Sequence, residues 1–143
     1  MNREEIKQLL PHREPMLLVD WTEKNEDGSI RATYHVTGEE FFLKGHFPDF
    51  PVVPGVIICE IMAQCSTLIL GDKLIDHTPF YAGLDKVRFK HMVRPGDTIE
   101  VSAKPVAIRG SLFVISAQAN VEGHLACKAE MTFYLLENKD VAA

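Results

Sequence analysis

Cysteine is scarce in this chain of 143 residues, and its three cysteines have none of the spacings that build a metal or disulfide framework. Cys59, Cys65 and Cys127 are an odd set without a C-x-x-C pair, which argues against a zinc site and against a disulfide-stapled domain. The six histidines are scattered, and none has metal-ligand spacing to a cysteine or to another histidine. We therefore expect reduced thiols, no metal and a cytoplasmic location.

Long uncharged apolar runs and an excess of positive charge are also missing. No charge-free apolar run is long enough to span a membrane, and the first five residues lack the apolar segment of a signal peptide. The formal net charge is −5 at pH 7, whereas a general nucleic-acid-binding protein is usually basic. We therefore predict neither a membrane span nor a nucleic-acid partner.

The segments that are present fit a single domain over residues 1–143, without an internal repeat or a linker. The first part of the chain predicts a helix over residues 2–10, strands over 16–21 and 30–36, and a rigid Pro/Gly loop over 45–55. The longest helical candidate then runs from Val56 to about Leu70 and is closed by Gly71. Because apolar residues cover nearly its whole circumference, other structure must enclose this helix.

The second half alternates between apolar and polar residues, which is the pattern of half-buried strands. The alternation is clearest over residues 99–104 and 127–135, and glycine-containing turn signals separate the runs. Runs joined by such short turns are most simply antiparallel. The pattern therefore predicts an α+β fold in which a curled antiparallel sheet wraps around one long central helix.

Glu60 is the only charged residue between Asp49 and Asp72, within the apolar helix. An isolated buried charge costs free energy of the order of several kcal/mol unless it is paired or neutralised. Gln64 and Thr67 follow at helical spacing, so the three polar residues share one stripe. Two interpretations stay open: a structural carboxyl bonded to the backbone, or a carboxyl whose pKa is raised by burial and which acts as a general acid.

Two further groups near the start of the helix suit the same chemistry. His46 precedes the stiff Phe47-Pro48 pair, and a histidine is either a competent base near neutral pH or an ordinary packed loop residue. The N–H groups of Gly55 and Val56 either form an oxyanion hole or simply mark a Pro/Gly helix entry. A base, an oxyanion hole and an acid together suit the elimination of water from a 3-hydroxyacyl thioester.

These residues resemble the signature of the β-hydroxyacyl-[acyl carrier protein] dehydratases of the FabZ type. The likeness covers roughly residues 9 to 136, nearly the whole chain. It is carried by HFPDFPVVPGVIICEIMAQ over 46–64, LPHR over 10–13, PMLLVD over 15–20, GLDKVRF over 83–89 and RPGD over 94–97.

The resemblance implies a hotdog fold and the dehydration step of type II fatty-acid synthesis, with a trans-2-enoyl product. It implies that His46 is the base at C2, that Glu60 of the partner subunit acts on the C3 hydroxyl, and that the Gly55 N–H polarises the thioester carbonyl. Gln64 would be the neighbour that supports Glu60. The family forms homodimers, often trimers of dimers. Its substrate arrives on the phosphopantetheine arm of an acyl carrier protein, with no other cofactor.

A basic cluster follows, in which Lys86, Arg88 and Lys90 occupy alternate positions and Arg94 lies just beyond. On a regular strand the first three side chains would share one face. Strand edges often carry lysine, so one interpretation is an ordinary solvated edge. In an acidic protein the cluster also suits a partner that is more acidic still, and the resemblance points to the acyl carrier protein.

Other activities stay open for the same fold. A hotdog thioesterase would use the acidic residue of the helix to activate water, and would release free acid. A dehydratase with added enoyl isomerase activity is similar to the family but usually has Asp at the position of Glu60. A non-catalytic acyl-binding module would keep Glu60 as a structural group. Tyr81 is a candidate gate over the substrate tunnel, or else a core aromatic.

Overall fold

A six-stranded antiparallel sheet packs against one central helix in the computed structural model, which describes residues 1–141. The strands are β1 (Trp21–Lys24), β2 (Ile30–His35), β3 (His77–Phe89), β4 (Thr98–Arg109), β5 (Leu112–Val121) and β6 (His124–Glu137). Their order across the sheet is β1-β2-β4-β5-β6-β3. The predicted fold, a curled antiparallel sheet around a long central helix, is confirmed.

The period-two pattern of the sequence decides which strand residues face the helix. On β4, Ile99, Val101 and Ala103 are buried while the residues between them are exposed. On β6, Ala129 and Met131 are buried in the same way. Because burying a large apolar side chain stabilises a fold by about 1.5–3 kcal/mol, a slip of one residue, which would turn this face outward, is strongly disfavoured.

The central helix α2 (Gly55–Thr67) is enclosed along most of its length. Every residue from Ile58 to Thr67 is buried except Glu60, as the apolar circumference of the segment predicts. The α-helix ends earlier than predicted, because the chain tightens into a 3₁₀ turn over Leu68–Leu74. Gly71 interrupts this turn with a φ of 55°, a left-handed conformation that glycine adopts readily.

The stretch Gly55–Leu74 is long and apolar enough to cross a membrane by length and composition. However, 67% of its most apolar window is buried inside the protein, where it forms the core of the fold. Its burial by the sheet accounts for its hydropathy.

The N-terminal segment differs from the sequence prediction in two ways. The helix α1 covers only Arg3–Ile6 rather than residues 2–10, and Asn2 caps it by accepting the Glu5 backbone N–H. The predicted strand over residues 16–21 is wrong, because β1 begins only at Trp21. At the other end, the single helical turn α3 (Asn138–Val141) follows β6.

Leu17, Leu18 and Val19, the centre of the apolar run at 16–21, are buried as irregular chain, and side chains bind the backbone of the run. The Leu18 N–H donates to Gln64 Oε1 at 2.8 Å, and Gln64 Nε2 donates to the Met16 carbonyl at 2.7 Å. The Arg3 guanidinium donates to the Leu17 carbonyl at 2.7 Å. These bonds use backbone groups that a strand would offer to a neighbouring strand.

Candidate active site

Glu60 lies on α2 in the wall between two cavities. The first, here called the apolar cavity, has a volume of about 400 Å³ and is lined by Glu60 with Val56, Cys59, Tyr81, Leu84, Val87 and Phe89. The second, here called the polar cavity, has a volume of about 140 Å³ and is lined by Glu60 with His12, Ala63, Gln64, Thr67, Pro79, Tyr81 and Phe133. The predicted polar stripe of Glu60, Gln64 and Thr67 therefore lines one cavity.

Burial raises the pKa of the Glu60 carboxyl above its ordinary value, and hydrogen bonding from Gln64 partly opposes this rise. Desolvation has this effect because it disfavours the charged form of an acid. A carboxyl group with a raised pKa retains its proton nearer to neutral pH, so it can donate that proton to a leaving hydroxyl group.

His46 lies in the loop that precedes α2, and its ring is held by the same loop. Nδ1 of His46 lies 3.0 Å from the carbonyl oxygen of Val52, and the imidazole stacks on Phe47 with ring centroids 4.2 Å apart. Because a carbonyl oxygen only accepts hydrogen bonds, Nδ1 carries the proton and Nε2 of the neutral ring keeps a free lone pair. This tautomer is the one that a general base at Nε2 requires.

Within the single chain, His46 and Glu60 do not meet. No hydrogen bond or ion pair joins them in the part of the chain that the structure describes, and His46 lines neither of the two cavities that contain Glu60. The predicted acid and base are therefore both half-buried, but neither cavity that Glu60 lines brings the two together within one chain.

The start of α2 presents free amides, as predicted, and also a close contact that the sequence does not reveal. Ile57 N–H and Ile58 N–H donate to the Pro54 carbonyl, so the N–H groups of Gly55 and Val56 precede the helix's own bonding. A side-chain carbon at Gly55 would lie 2.9 Å from the Phe89 ring. Gly55 is therefore needed for the approach of this ring as well as for any substrate oxygen.

Two further residues join the site although sequence reasoning assigned them no role or only a tentative one. Tyr81 lines both cavities, and burial raises the pKa of its phenol. His12 lines the polar cavity, and its Nδ1 is shielded from solvent without a hydrogen-bond partner among residues 1–141. Burial and the nearby Arg13 charge lower the pKa of His12, which favours the neutral form of its ring. The LPHR segment contained His12, but no spacing connected it to Glu60.

Gln64 is held firmly beside Glu60 by backbone groups of the N-terminal segment. It is 1% exposed, and it uses both its carbonyl and its amide on Leu18 and Met16. Its predicted role as the neighbour that supports Glu60 is compatible with its place in the polar cavity.

The predicted common face of Lys86, Arg88 and Lys90 is wrong for Lys90, because β3 ends before this residue. A bulge lies between Asp85 and Arg88, Lys86 has a φ of 54°, and β3 ends at Phe89. A bulge adds a residue to one strand, but Lys86 and Arg88 stay on the same outer face of the sheet, so it is the end of β3 that separates Lys90 from them.

The four cations consequently lie in two groups. Lys86 lines a cleft on the outer face of the sheet and lies 3.7 Å from Glu130, while Arg88 is paired with Lys128 on that face. Lys90 and Arg94 line a different cleft, together with Phe89, His91, Met92 and Asp97. Since Phe89 also lines the apolar cavity, the second group is the one next to the site.

Comparison with known proteins establishes the family. The profile of the FabA-like domain matches residues 10–130. The chain belongs to this family. The protein named 3-hydroxyacyl-[acyl-carrier-protein] dehydratase FabZ from Clostridium perfringens is 47% identical over 135 residues, which cover 93% of this chain and 97% of that protein. A protein of the same name from Bacillus licheniformis is 39% identical and covers 98% of this chain and 99% of its own length. The resemblance to the FabZ type is thus confirmed.

Solved structures confirm the fold. The dehydratase heterocomplex ApeI:P from Xenorhabdus doucetiae has a TM-score of 0.82 at 18% identity, over 96% of this chain and 94% of that one. A mutant of the thioesterase PA1618 from Pseudomonas aeruginosa has a TM-score of 0.70 at 13% identity, over 95% and 94%. Because the two neighbours differ in reaction class, their likeness speaks for the hotdog fold alone.

Proposed function

We propose that this chain dehydrates 3-hydroxyacyl groups, carried on an acyl carrier protein, to trans-2-enoyl groups in type II fatty-acid synthesis. The observation that carries the proposal is the half-buried Glu60 carboxyl, whose pKa is raised and which lies in the wall of an apolar cavity. A thioesterase needs a charged carboxylate as its base, whereas this environment favours a protonated acid. The names of the relatives from Clostridium perfringens and Bacillus licheniformis agree with the same reaction.

The proposed elimination uses three groups of the protein. Nε2 of His46 removes a proton from C2 while negative charge gathers on the thioester oxygen, which the Gly55 and Val56 N–H groups stabilise. Glu60 gives its proton to the C3 hydroxyl, the C3–O bond breaks, and water leaves as the C2–C3 double bond forms. A positioned acid or base typically contributes ~10²–10⁴-fold in rate.

A second copy of the chain completes this site. β3 is an edge strand of 13 residues, on which Phe80, Leu84 and Phe89 are 57%, 42% and 55% exposed. Val56, beside the same cavity, is 75% exposed. A long apolar edge strand readily pairs with another chain. Pairing along β3 gives a homodimer in which His46 of one chain serves Glu60 of the other; assembly into a trimer of dimers is the larger form that the family resemblance implies.

The acyl carrier protein docks at the cleft of Lys90 and Arg94 in this proposal. Its acidic surface suits these cations, and Phe89 connects the cleft to the apolar cavity that would take the acyl chain. The phosphopantetheine arm brings the substrate, so the reaction needs no cofactor of the protein's own. The proposed setting is the cytoplasm, with no nucleic-acid partner.

The test uses a 3-hydroxyacyl-[acyl carrier protein] substrate with wild type, His46→Ala and Glu60→Gln. We expect enoyl product from wild type alone, resolved into cis and trans isomers by chromatography and mass spectrometry. Activity that survives both substitutions would contradict the proposal. Free acid as the product would favour a thioesterase, and a cis-3-enoyl product would add isomerase activity.

The shared site is tested by co-expressing the two inactive variants with different tags and purifying the mixed dimer. If His46 serves Glu60 of the other chain, the mixed dimer holds one complete site out of two, and about half of the wild-type activity returns. If both residues act within one chain, the mixed dimer stays inactive. Sedimentation then reports whether the wild type is a dimer or a hexamer.

A further inference from the structure

The polar cavity, which Glu60 separates from the apolar cavity, has no task in the elimination described so far. Its volume of about 140 Å³ gives room for a few water molecules, since one water occupies ~30 Å³ in the liquid. The polar groups of its lining are an imidazole, a carboxyl, a hydroxyl and a phenol, from His12, Glu60, Thr67 and Tyr81, together with the Gln64 amide. A buried water needs about two to four polar partners, so the cavity meets both conditions for holding ordered water.

His12 has hydrogen-bonding capacity that the rest of the chain leaves unused. Its Nδ1 is the one shielded side-chain nitrogen or oxygen of residues 1–141 that has no hydrogen-bond partner. Because shielded polar atoms are almost always paired with protein or with ordered water, an unpaired nitrogen on a ring that lines a polar cavity indicates a small polar ligand. The neutral imidazole has one donor and one acceptor nitrogen, and a water molecule can use either.

The backbone that carries His12 is fixed by hydrogen bonds on both sides of the ring. The Arg13 guanidinium donates to the carbonyl oxygens of Leu10 and His12 at 2.9 and 2.7 Å. Gln64, which lines the same cavity, donates to the Met16 carbonyl just beyond. The N-terminal segment therefore presents the imidazole to the cavity from a set position above α2.

Thr67 offers the cavity an acceptor for hydrogen bonds. Its side chain is buried, and its hydroxyl donates its only proton to the Gln64 carbonyl at 2.9 Å. The lone pairs of Thr67 Oγ1 remain, so this group binds a ligand that donates a hydrogen bond. One water can accept a hydrogen bond from the His12 ring and donate to Thr67 and to Glu60, which uses all three side chains.

We propose that the polar cavity is a water-binding site of the elimination, and that His12 is the positioning residue that holds its water against Glu60. As Glu60 passes its proton to the C3 hydroxyl, the electron pair of the C3–O bond goes to that oxygen and water leaves. Glu60 is then a carboxylate in a desolvated wall, and the water held by His12 and Thr67 stabilises it by donating a hydrogen bond. This effect on catalysis rests on the proposed function; the binding of water does not.

The proposed dimer leaves this site intact, because the water needs no opening on the outer surface. Pro79 and Tyr81 of the edge strand β3 border the polar cavity, so pairing along β3 covers that side of it. Covering a polar cavity encloses its water, and buried waters with several polar partners are costly to remove.

The first experiment locates water in crystals of the full chain, at a resolution that shows ordered solvent. In the wild type we expect a water within hydrogen-bond distance of His12, Thr67 and Glu60, and we expect His12→Phe and Thr67→Val to lose it. Thr22→Val is the matched control and should keep the water. Thr22 is also buried and donates its hydroxyl to a backbone carbonyl, but it lines neither cavity. A dry polar cavity in the wild type, or one filled by a side chain of the partner subunit, would overturn the proposal.

The second experiment measures steady-state kinetics with a 3-hydroxyacyl-[acyl carrier protein] substrate, and melting temperatures show that each variant is folded. We expect His12→Phe to lower kcat about 10- to 100-fold, the effect of one hydrogen bond to a charged group, with KM nearly unchanged. His12→Gln keeps a donor and an acceptor and should recover most of the rate, and Thr22→Val should match the wild type.

Equal losses in His12→Phe and His12→Gln, or a rise in KM alone, would refute the positioning role of His12. A wild type that binds the water but forms no enoyl product would contradict the proposed function instead. The crystals decide in either case whether the cavity binds water.

Discussion

The Glu60 carboxyl, at the scale of a single residue, is useful to the proposed reaction and unfavourable for folding. Its pKa in the folded chain is raised from an ordinary value of 4.5, chiefly by burial. As pH rises above that value, the unfolded chain ionises first while the folded chain retains its proton. The contribution of Glu60 to stability is therefore greatest below the unfolded pKa and is lost as pH rises through the folded pKa.

We predict that Glu60→Gln stabilises the protein while abolishing dehydration. The melting temperature should exceed that of wild type at about pH 8. The difference should shrink at about pH 4, where Glu60 is largely neutral in both the folded and the unfolded chain. The rate should fall by ~10²–10⁴. Glu100→Gln is the control, since the Glu100 side chain is 55% exposed and its removal should leave the melting temperature nearly unchanged. An equal difference at both pH values would contradict the prediction.

How far single residues could be predicted depends on how local their signal is. Glu60 and His46 stand out within short segments, the first as a lone charge in an apolar helix and the second beside a stiff Phe-Pro pair. His12 borders the same cavity as Glu60 but comes from the other end of the chain. A contact of that kind is made by tertiary packing, and no local pattern encodes it.

At the scale of elements, the clearest predictions were those whose periodicity and turn chemistry agree. The strand predicted from Ile30 is confirmed, and it follows a turn in which Gly28 has a φ of 88°. The apolar run at 16–21 misled because hydropathy reports burial but does not report which groups bind the backbone. Here the Gln64 side chain on α2 binds the backbone groups of Leu18 and Met16 that a neighbouring strand would otherwise bind.

The entry of α2 gives a prediction at this scale. Gly55→Ala should leave the melting temperature within a few degrees of wild type, because the ring atoms that it meets belong to a half-exposed side chain. The displaced Phe89 ring should intrude on the apolar cavity, so kcat/KM should fall about tenfold. In the Phe89→Leu background, Gly55→Ala should lower kcat/KM only slightly, so the double variant should keep most of the activity of Phe89→Leu alone. Full activity of Gly55→Ala by itself would refute this account.

On the scale of the whole molecule, the division of the basic cluster separates cations that the sequence groups together. Lys90 and Arg94 share a cleft with Phe89, beside the apolar cavity, whereas Lys86 belongs to the outer face of the sheet and has Glu130 nearby. The end of β3 at Phe89, which causes this division, has no signature in the alternating pattern of Lys86, Arg88 and Lys90.

We predict that Lys90→Glu raises KM for the carrier-bound substrate about two- to fivefold with kcat nearly unchanged, since an exposed charge contact contributes ~0.2–1 kcal/mol. Lys86→Glu is the matched control and should change KM little, because Lys86 lies on the outer face of the sheet, away from the cleft of Lys90 and Arg94. Steady-state kinetics at low and high salt measure both variants, and the effect of Lys90→Glu should shrink as salt screens the contact. Equal effects of the two substitutions, or a loss in kcat alone, would rule out docking at this cleft.

The hydrogen bonds between the Gln64 side chain and the N-terminal segment restrict which substitutions the protein can accept during evolution. Gln64 binds main-chain atoms of Leu18 and Met16, and those atoms are common to almost every amino acid. Mutation can therefore vary the exposed side chain of Met16 with little effect on these hydrogen bonds, whereas the buried side chain of Leu18 is fixed by packing in the core. No carboxylate or aliphatic chain of similar length supplies a donor and an acceptor together. Related sequences can thus change the exposed position Met16 of the covering segment, while the amide of Gln64 in the helix beneath it has to be inherited unchanged.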